Sequence, residues 1–190
     1  MKILVFLLLC LIFSSGIAQE KDEREQRIKE TEVPASIIEV LEPFTKDLKV
    51  KYIFERDGEH SSYEAKFRSK SRFFSVEFDT LGTLEDVEID LKYKSLDKEL
   101  KNQIEDYLHK SSTAYKILRC QRQYAHVSGE ASQTLKHAIN NESHAPINYE
   151  LEVDMTVEKA LHSYELLFDT KGAFISKRLI INRATDNLLY

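Results

Sequence analysis

Between Val50 and Lys92 apolar residues recur at every second position in four successive segments, and no other feature of the chain restricts its fold as strongly. Val50, Tyr52 and Phe54 alternate with Lys51, Ile53 and Glu55, and Tyr63, Ala65 and Phe67 with Glu64, Lys66 and Arg68. Phe74, Val76 and Phe78 then alternate with Phe73, Ser75 and Glu77, and Val87, Ile89 and Leu91 with Glu88, Asp90 and Lys92. Successive side chains of a strand point to opposite faces, so a period of two predicts four half-buried strands. Asp57-Gly58 and Asp79-Thr80-Leu81-Gly82 supply turns between them,. Strands joined this tightly form an antiparallel meander with one apolar face that must be covered. Just upstream, Val33, Ile37, Leu41 and Phe44 recur at helical spacing behind Pro34, a residue suited to a first helical turn,. They predict the covering helix, ending near Pro43.

The same order then returns. Leu96, Leu100, Ile104 and Leu108 make a second helical stripe, followed by the strand-like run from Tyr115 to Tyr124. Tyr149-Glu150-Leu151-Glu152-Val153 answers Tyr63-Glu64-Ala65-Lys66-Phe67, and Phe168-Asp169-Thr170-Lys171-Gly172 answers Phe78-Asp79-Thr80-Leu81-Gly82. A last strand runs from Phe174 to Asn182, and residues 125–147 are a polar insertion without counterpart in the first copy. The expected fold is α+β: two tandem units, residues 33–95 and 96–190, each a helical element packed on one face of a four-stranded antiparallel sheet.

Met1-Lys2, the apolar run from Ile3 to Phe13 and the small residues of Ser14-Ser15-Gly16-Ile17-Ala18 have the form of an export signal, with cleavage expected after Ala18,. The run is shorter than the roughly 20 apolar residues that span a bilayer, so no membrane anchor is expected after cleavage. Cys10 lacks the small residue that lipidation requires just before it and departs with the signal. The exported chain then holds one cysteine, Cys120, and no intramolecular disulfide, so its core must hold it together,. Cys120 reads as a buried structural thiol. Residues 19–32 contain one aliphatic side chain, Ile28, and read as a charged, flexible leader,.

These residues resemble a family. The Val33-Pro34 helix opening, the Tyr-Glu strand and the Phe-Asp-x-x-Gly turn before a charged, alternating last strand are similar to the PepSY-like domains grouped with beta-lactamase-inhibitory protein, exported proteins of Bacteroidota. The resemblance spans about residues 30–181 and implies an exported module, periplasmic or secreted, of which most relatives have no assigned activity. The inhibitor of that group grips an enzyme with a concave sheet surface and loops, but its contact residues match no position here.

Lys plus Arg (27) against Asp plus Glu (32) gives a net charge of −5, which repels a phosphate backbone and argues against a nucleic-acid partner,. No two glycines share a loop, so none cradles a nucleotide phosphate, and no cofactor is expected,. Asp79 and Asp169 read as turn formers that bond backbone amides, with Gly82 and Gly172 closing each turn at positive φ. His126, His137 and His144 are spaced by eleven and seven residues, not the short spacing that brings two imidazoles to one ion, and no metal site is expected there,. His60, His109 and His162 read as surface or interface residues. The polar sheet faces are the expected docking surface for a protein or peptide, with Ile53, Arg68 and Phe73 as contact points on the first. The preferred reading is a non-enzymatic binding or inhibitor-like module. The alternatives are a small exported enzyme or metal-binding protein using the acidic turns or the histidine-bearing insertion, and a peptide-handling factor that offers strand edges.

Overall fold

The computed structural model describes residues 19–142 and 146–182; the expected signal segment, its cleavage point, Cys10 and His144 lie outside the described residues. Along the described chain come β1 (Gln19–Ile28), α1 (Ala35–Thr45), β2 (Val50–Asp57), β3 (His60–Ser69), β4 (Arg72–Asp79) and β5 (Leu84–Asp90). They are followed by α2 (Lys98–Ser111), β6 (Ala114–Ala125), α3 (Ala131–Asn140), β7 (Ile147–Val157), β8 (Ala160–Asp169) and β9 (Phe174–Asn182). Consecutive strands pair antiparallel, and β1 also pairs parallel with β9, closing the sheet into a barrel.

The α+β class stands, but the two separate four-stranded sheets do not. β5 and β6 pair from Asp86 opposite Ala125 to Asp90 opposite Gln121, so one sheet runs across the expected boundary. The edge of a meander presents unpaired N–H and C=O groups, and the next meander's first strand satisfies them. The segment read as a flexible leader supplies the ninth strand. β1 lies against β2 from Glu23 opposite Asp57 to Ile28 opposite Tyr52 and reaches β9 on its other side. It enters the sheet through its backbone ladder and through ion pairs, since it has almost no apolar surface to bury.

The alternating apolar residues do share one face, and it is the outer one. Tyr52, Phe67, Val76 and Phe78 on one half of the sheet and Leu151, Val153, Leu166 and Phe168 on the other pack with Ile37 and Leu41 of α1 and with Leu100, Ile104 and Leu108 of α2 in a single core. Asp97 caps α2 by accepting from the Leu100 amide at 2.9 Å,. Cys120 is buried in this core and free, and burial pushes its thiol up to about 12. The insertion contains α3, which buries Leu135 and Ala138 against β5 and β6 and ends at Asn141 in the left-handed region, φ +58°,.

Both Phe-Asp-Thr-x-Gly turns have the same internal bonding. Asp79 Oδ1 accepts from the amides of Leu81 and Thr83 at 2.8 Å each, and Asp169 Oδ1 from those of Lys171 and Ala173 at the same distances. Gly82 and Gly172 have φ of +85° and +82°. A Cβ on Gly172 would stand 2.6 Å from Gln103 Cβ and 3.1 Å from the Leu100 carbonyl oxygen, whereas on Gly82 it would meet the rotatable Ser36 hydroxyl at 2.5 Å. Alanine at either position is expected to cost about 1 kcal/mol or more from the backbone alone. Gly172→Ala should cost more, because the helix backbone cannot turn aside. Urea denaturation of both variants checks this, and an equal or inverted ranking would mean that α2 does not press on its turn.

Candidate functional site: a charged lumen with a basic mouth

The polar residues of the alternating pattern point into the barrel. The expected open sheet face is therefore a lumen, and Glu55, Glu64, Lys66 and Glu165 on it are each at most 9% exposed. Its cavity has a volume of about 380 Å³ and is lined by twelve Asp and Glu side chains against four Lys and Arg. Each of the four cations is engaged. Lys21 pairs with Glu165 and, at 3.4 Å, with Glu23; Lys66 pairs with Glu64 at 2.7 Å and Glu25 at 2.9 Å. Arg119 pairs with Asp90 at 3.1 Å and Glu152 at 3.7 Å, and Arg178 with Asp57 and, at 3.5 Å, with Glu165.

Other carboxylates have only neutral donors. Ser62 donates to Glu77 at 2.8 Å, Gln121 to Glu88 at 2.8 Å and Gln123 to Asp86 at 2.9 Å. Burial, reinforced by neighbouring carboxylates, pushes Glu88 up to about 7 and Glu77 up to about 8, and raises Asp86 and Glu150 well above the usual range,. Like charges stand directly opposite one another across the strands at Glu64 and Glu77, and at Glu77 and Asp86, an arrangement that destabilises a sheet.

At the end of the barrel reached by the β3–β4 hairpin, a second cavity of about 490 Å³ continues from the lumen past Lys66, Ser75 and Arg119. Arg27, Lys49, Lys51, Lys66, Arg68 and Arg119 line it, with Asp90 as its one acid. Phe73 lies in the same wall, and the Arg68 guanidinium sits 5.1 Å from its ring centroid,. Of the three residues expected to contact a partner, Arg68 and Phe73 thus stand together at this mouth. Ile53 is fully buried opposite Arg27 of β1, and no partner reaches its side chain while the barrel is closed.

The described histidines of the insertion stay apart: His126 Nδ1 lies 3.0 Å from the Thr134 hydroxyl and His137 pairs with Glu142 at 3.5 Å. His60 is at the surface as expected, where it meets Glu85 at 3.3 Å and forms a cluster with Glu77. Sequence reasoning missed this cluster because its members come from three strands.

No family model and no curated protein matches this sequence. Among solved structures, a DUF2874 family protein from Bacteroides ovatus is similar over 83% of this chain and 97% of its own, with 11% identity and a TM-score of 0.54. A candidate periplasmic protein from Bacteroides eggerthii is similar over 82% of this chain and 94% of its own, with 12% identity and a TM-score of 0.52. A BLIP-like protein from Bacteroides fragilis aligns over 79% of this chain and 88% of its own, with 13% identity and a TM-score of 0.49. No described helix is long and apolar enough to cross a membrane. What this chain shares with the Bacteroides ovatus and Bacteroides eggerthii proteins is the fold.

Proposed function

We propose that the protein is an exported, non-enzymatic binding or inhibitor-like module that docks an acidic segment of a partner protein or peptide on the basic mouth of its barrel. The observation that carries this reading is the clustering of six Lys and Arg side chains around one cavity with a single acid, on a chain whose net charge is −5. Such a local reversal of sign steers an anionic group to one end of the molecule, and Phe73 beside Arg68 supplies apolar contact of the kind that anchors interfaces. Binding is favoured over catalysis by the state of the candidate nucleophile and acids. Cys120 is buried with its thiol pushed up to about 12, and Asp79 and Asp169 are committed to turn amides. Export rests on the signal-like pattern of residues 1–18.

The test is calorimetric titration of the signal-free protein with an oligoglutamate peptide at low and at physiological salt. Binding should weaken as salt rises, and Arg68→Ala or Phe73→Ala should weaken it about tenfold, equivalent to about 1.4 kcal/mol, without changing the melting temperature. Absence of binding at low salt, or binding that both variants leave intact, would sink the assignment of this mouth.

A further inference from the structure

We infer that His60, Glu77 and Glu85 bind a divalent first-row transition-metal ion at the end of the barrel opposite the basic mouth. His60 opens β3, Glu77 lies near the close of β4, and Glu85 lies at the start of β5, so three neighbouring strands bring one donor each to the same rim. Their ligand atoms all lie within 4.8 Å of one another, with His60 Nε2 and Glu85 Oε2 3.3 Å apart. Ligands held at about 2.0–2.1 Å from a tetrahedral ion stand about 3.4 Å from each other, so little movement is needed to close the set. His60 is more than half exposed, which leaves the rim open to an incoming ion.

The backbone is shaped for this. Glu77 pairs with Asp86 and Phe78 with Leu84, which leaves Glu85 as the extra residue of a bulge and turns two consecutive acids, Glu85 and Asp86, into the lumen wall,. The turn itself does not require them. The equivalent bulge on β8 and β9 follows the Asp169–Gly172 turn, with Leu167 in the place of Glu77 and Ile175 in the place of Glu85.

Charge points the same way. Among the described residues no Lys or Arg pairs with Glu77, Glu85 or Asp86, although every lumen cation is engaged with acids elsewhere. Asp86 Oδ1 is fully buried and accepts no hydrogen bond. A bound dication supplies the positive charge that this acidic rim lacks. An imidazole beside two carboxylates suits zinc, manganese or iron better than calcium or magnesium, which prefer oxygen alone.

The experiment is titration of the chelator-treated, signal-free protein with Zn²⁺ by calorimetry, with Co²⁺ absorption as an independent readout of coordination. One ion per chain is expected, with a rise in melting temperature. His60→Ala and Glu85→Gln, both at the solvent-accessible rim, should each weaken Zn²⁺ binding at least tenfold while leaving the metal-free melting temperature within a few degrees. His162→Ala should leave the affinity unchanged. Absence of stoichiometric Zn²⁺ binding, or binding that neither rim variant affects, would overturn the site and leave His60 and Glu85 as an ordinary surface hydrogen-bonded pair. The acidic-peptide titration at the other mouth is independent of either result.

Discussion

Raising the pH from about 5 to about 9 at constant ionic strength is expected to lower the melting temperature of the metal-free protein by roughly 6–12 °C. The cause is the acid surplus of the lumen. Burial, with neighbouring carboxylates adding to it, lifts Glu88 to about 7, Glu77 to about 8 and Glu55 to about 12, and holds Asp86 and Glu150 well above normal. Each of these groups has a folded pKa above its unfolded one, so the folded chain keeps protons that the unfolded chain has released. For Glu88 and Glu77 that contribution to stability is complete below the unfolded value of about 4.5 and is lost as pH rises through 7 to 8,. Each tenfold difference in proton affinity between the folded and unfolded chain corresponds to about 1.4 kcal/mol, and because these acids repel one another and titrate together, about two such steps, or about 3 kcal/mol in total, are expected. Glu77→Gln should flatten the slope, since the amide oxygen can still accept from Ser62 and carries no charge. Saturating Zn²⁺ should flatten it too. A melting temperature that is level or rises over this range would mean that the lumen carboxylates are fully hydrated.

The alternation from Val50 to Lys92 was enough to assign each residue to a face, and Lys51, Glu55, Glu64, Lys66 and Arg68 do share one. Alternation is silent on curvature, however, so the same pattern is compatible with an open sheet and with a barrel whose polar face points inward. What decides between them is β1, and nothing in residues 19–32 looks like a strand because both of its faces are polar. Its partners are the acids and bases of the lumen, and these can be recognised only once the sheet has curled. The bulge left a readable mark: Leu84 and Val87 are both buried although they are three positions apart, so the period of two is broken at Glu85-Asp86. α3 also left one, in Leu135 and Ala138 at helical spacing within an otherwise polar insertion. The basic mouth and the His60 cluster were not legible, because strand register alone brings Arg27 near Arg68, or His60 near Glu77 and Glu85.

Lys66→Met is expected to destabilise the protein by about 3–5 kcal/mol, the cost of removing one partner from a buried ion pair. Its side chain is 9% exposed and lies between Glu25 of β1 and Glu64 of β3, which are themselves 9% exposed. Methionine has a similar length but no charge, so the substitution would leave two buried carboxylates facing each other beside Glu55, whose carboxyl burial already pushes up to about 12. The strain falls on the strand with least apolar anchoring. Hydrogen exchange should therefore show β1 amides losing protection before those of β3 and β4. Adding Glu25→Gln and Glu64→Gln to Lys66→Met should recover most of the lost stability, because no orphaned charge remains. A cost below about 1 kcal/mol for Lys66→Met would match an exposed pair and would mean that water reaches the lumen and that β1 does not close it. Lys66 also lines the basic mouth, so its loss would alter stability and peptide binding together. Arg68→Ala, at an exposed position on the same strand, should alter binding alone, and the contrast between the two separates the role of closure from the role of the mouth.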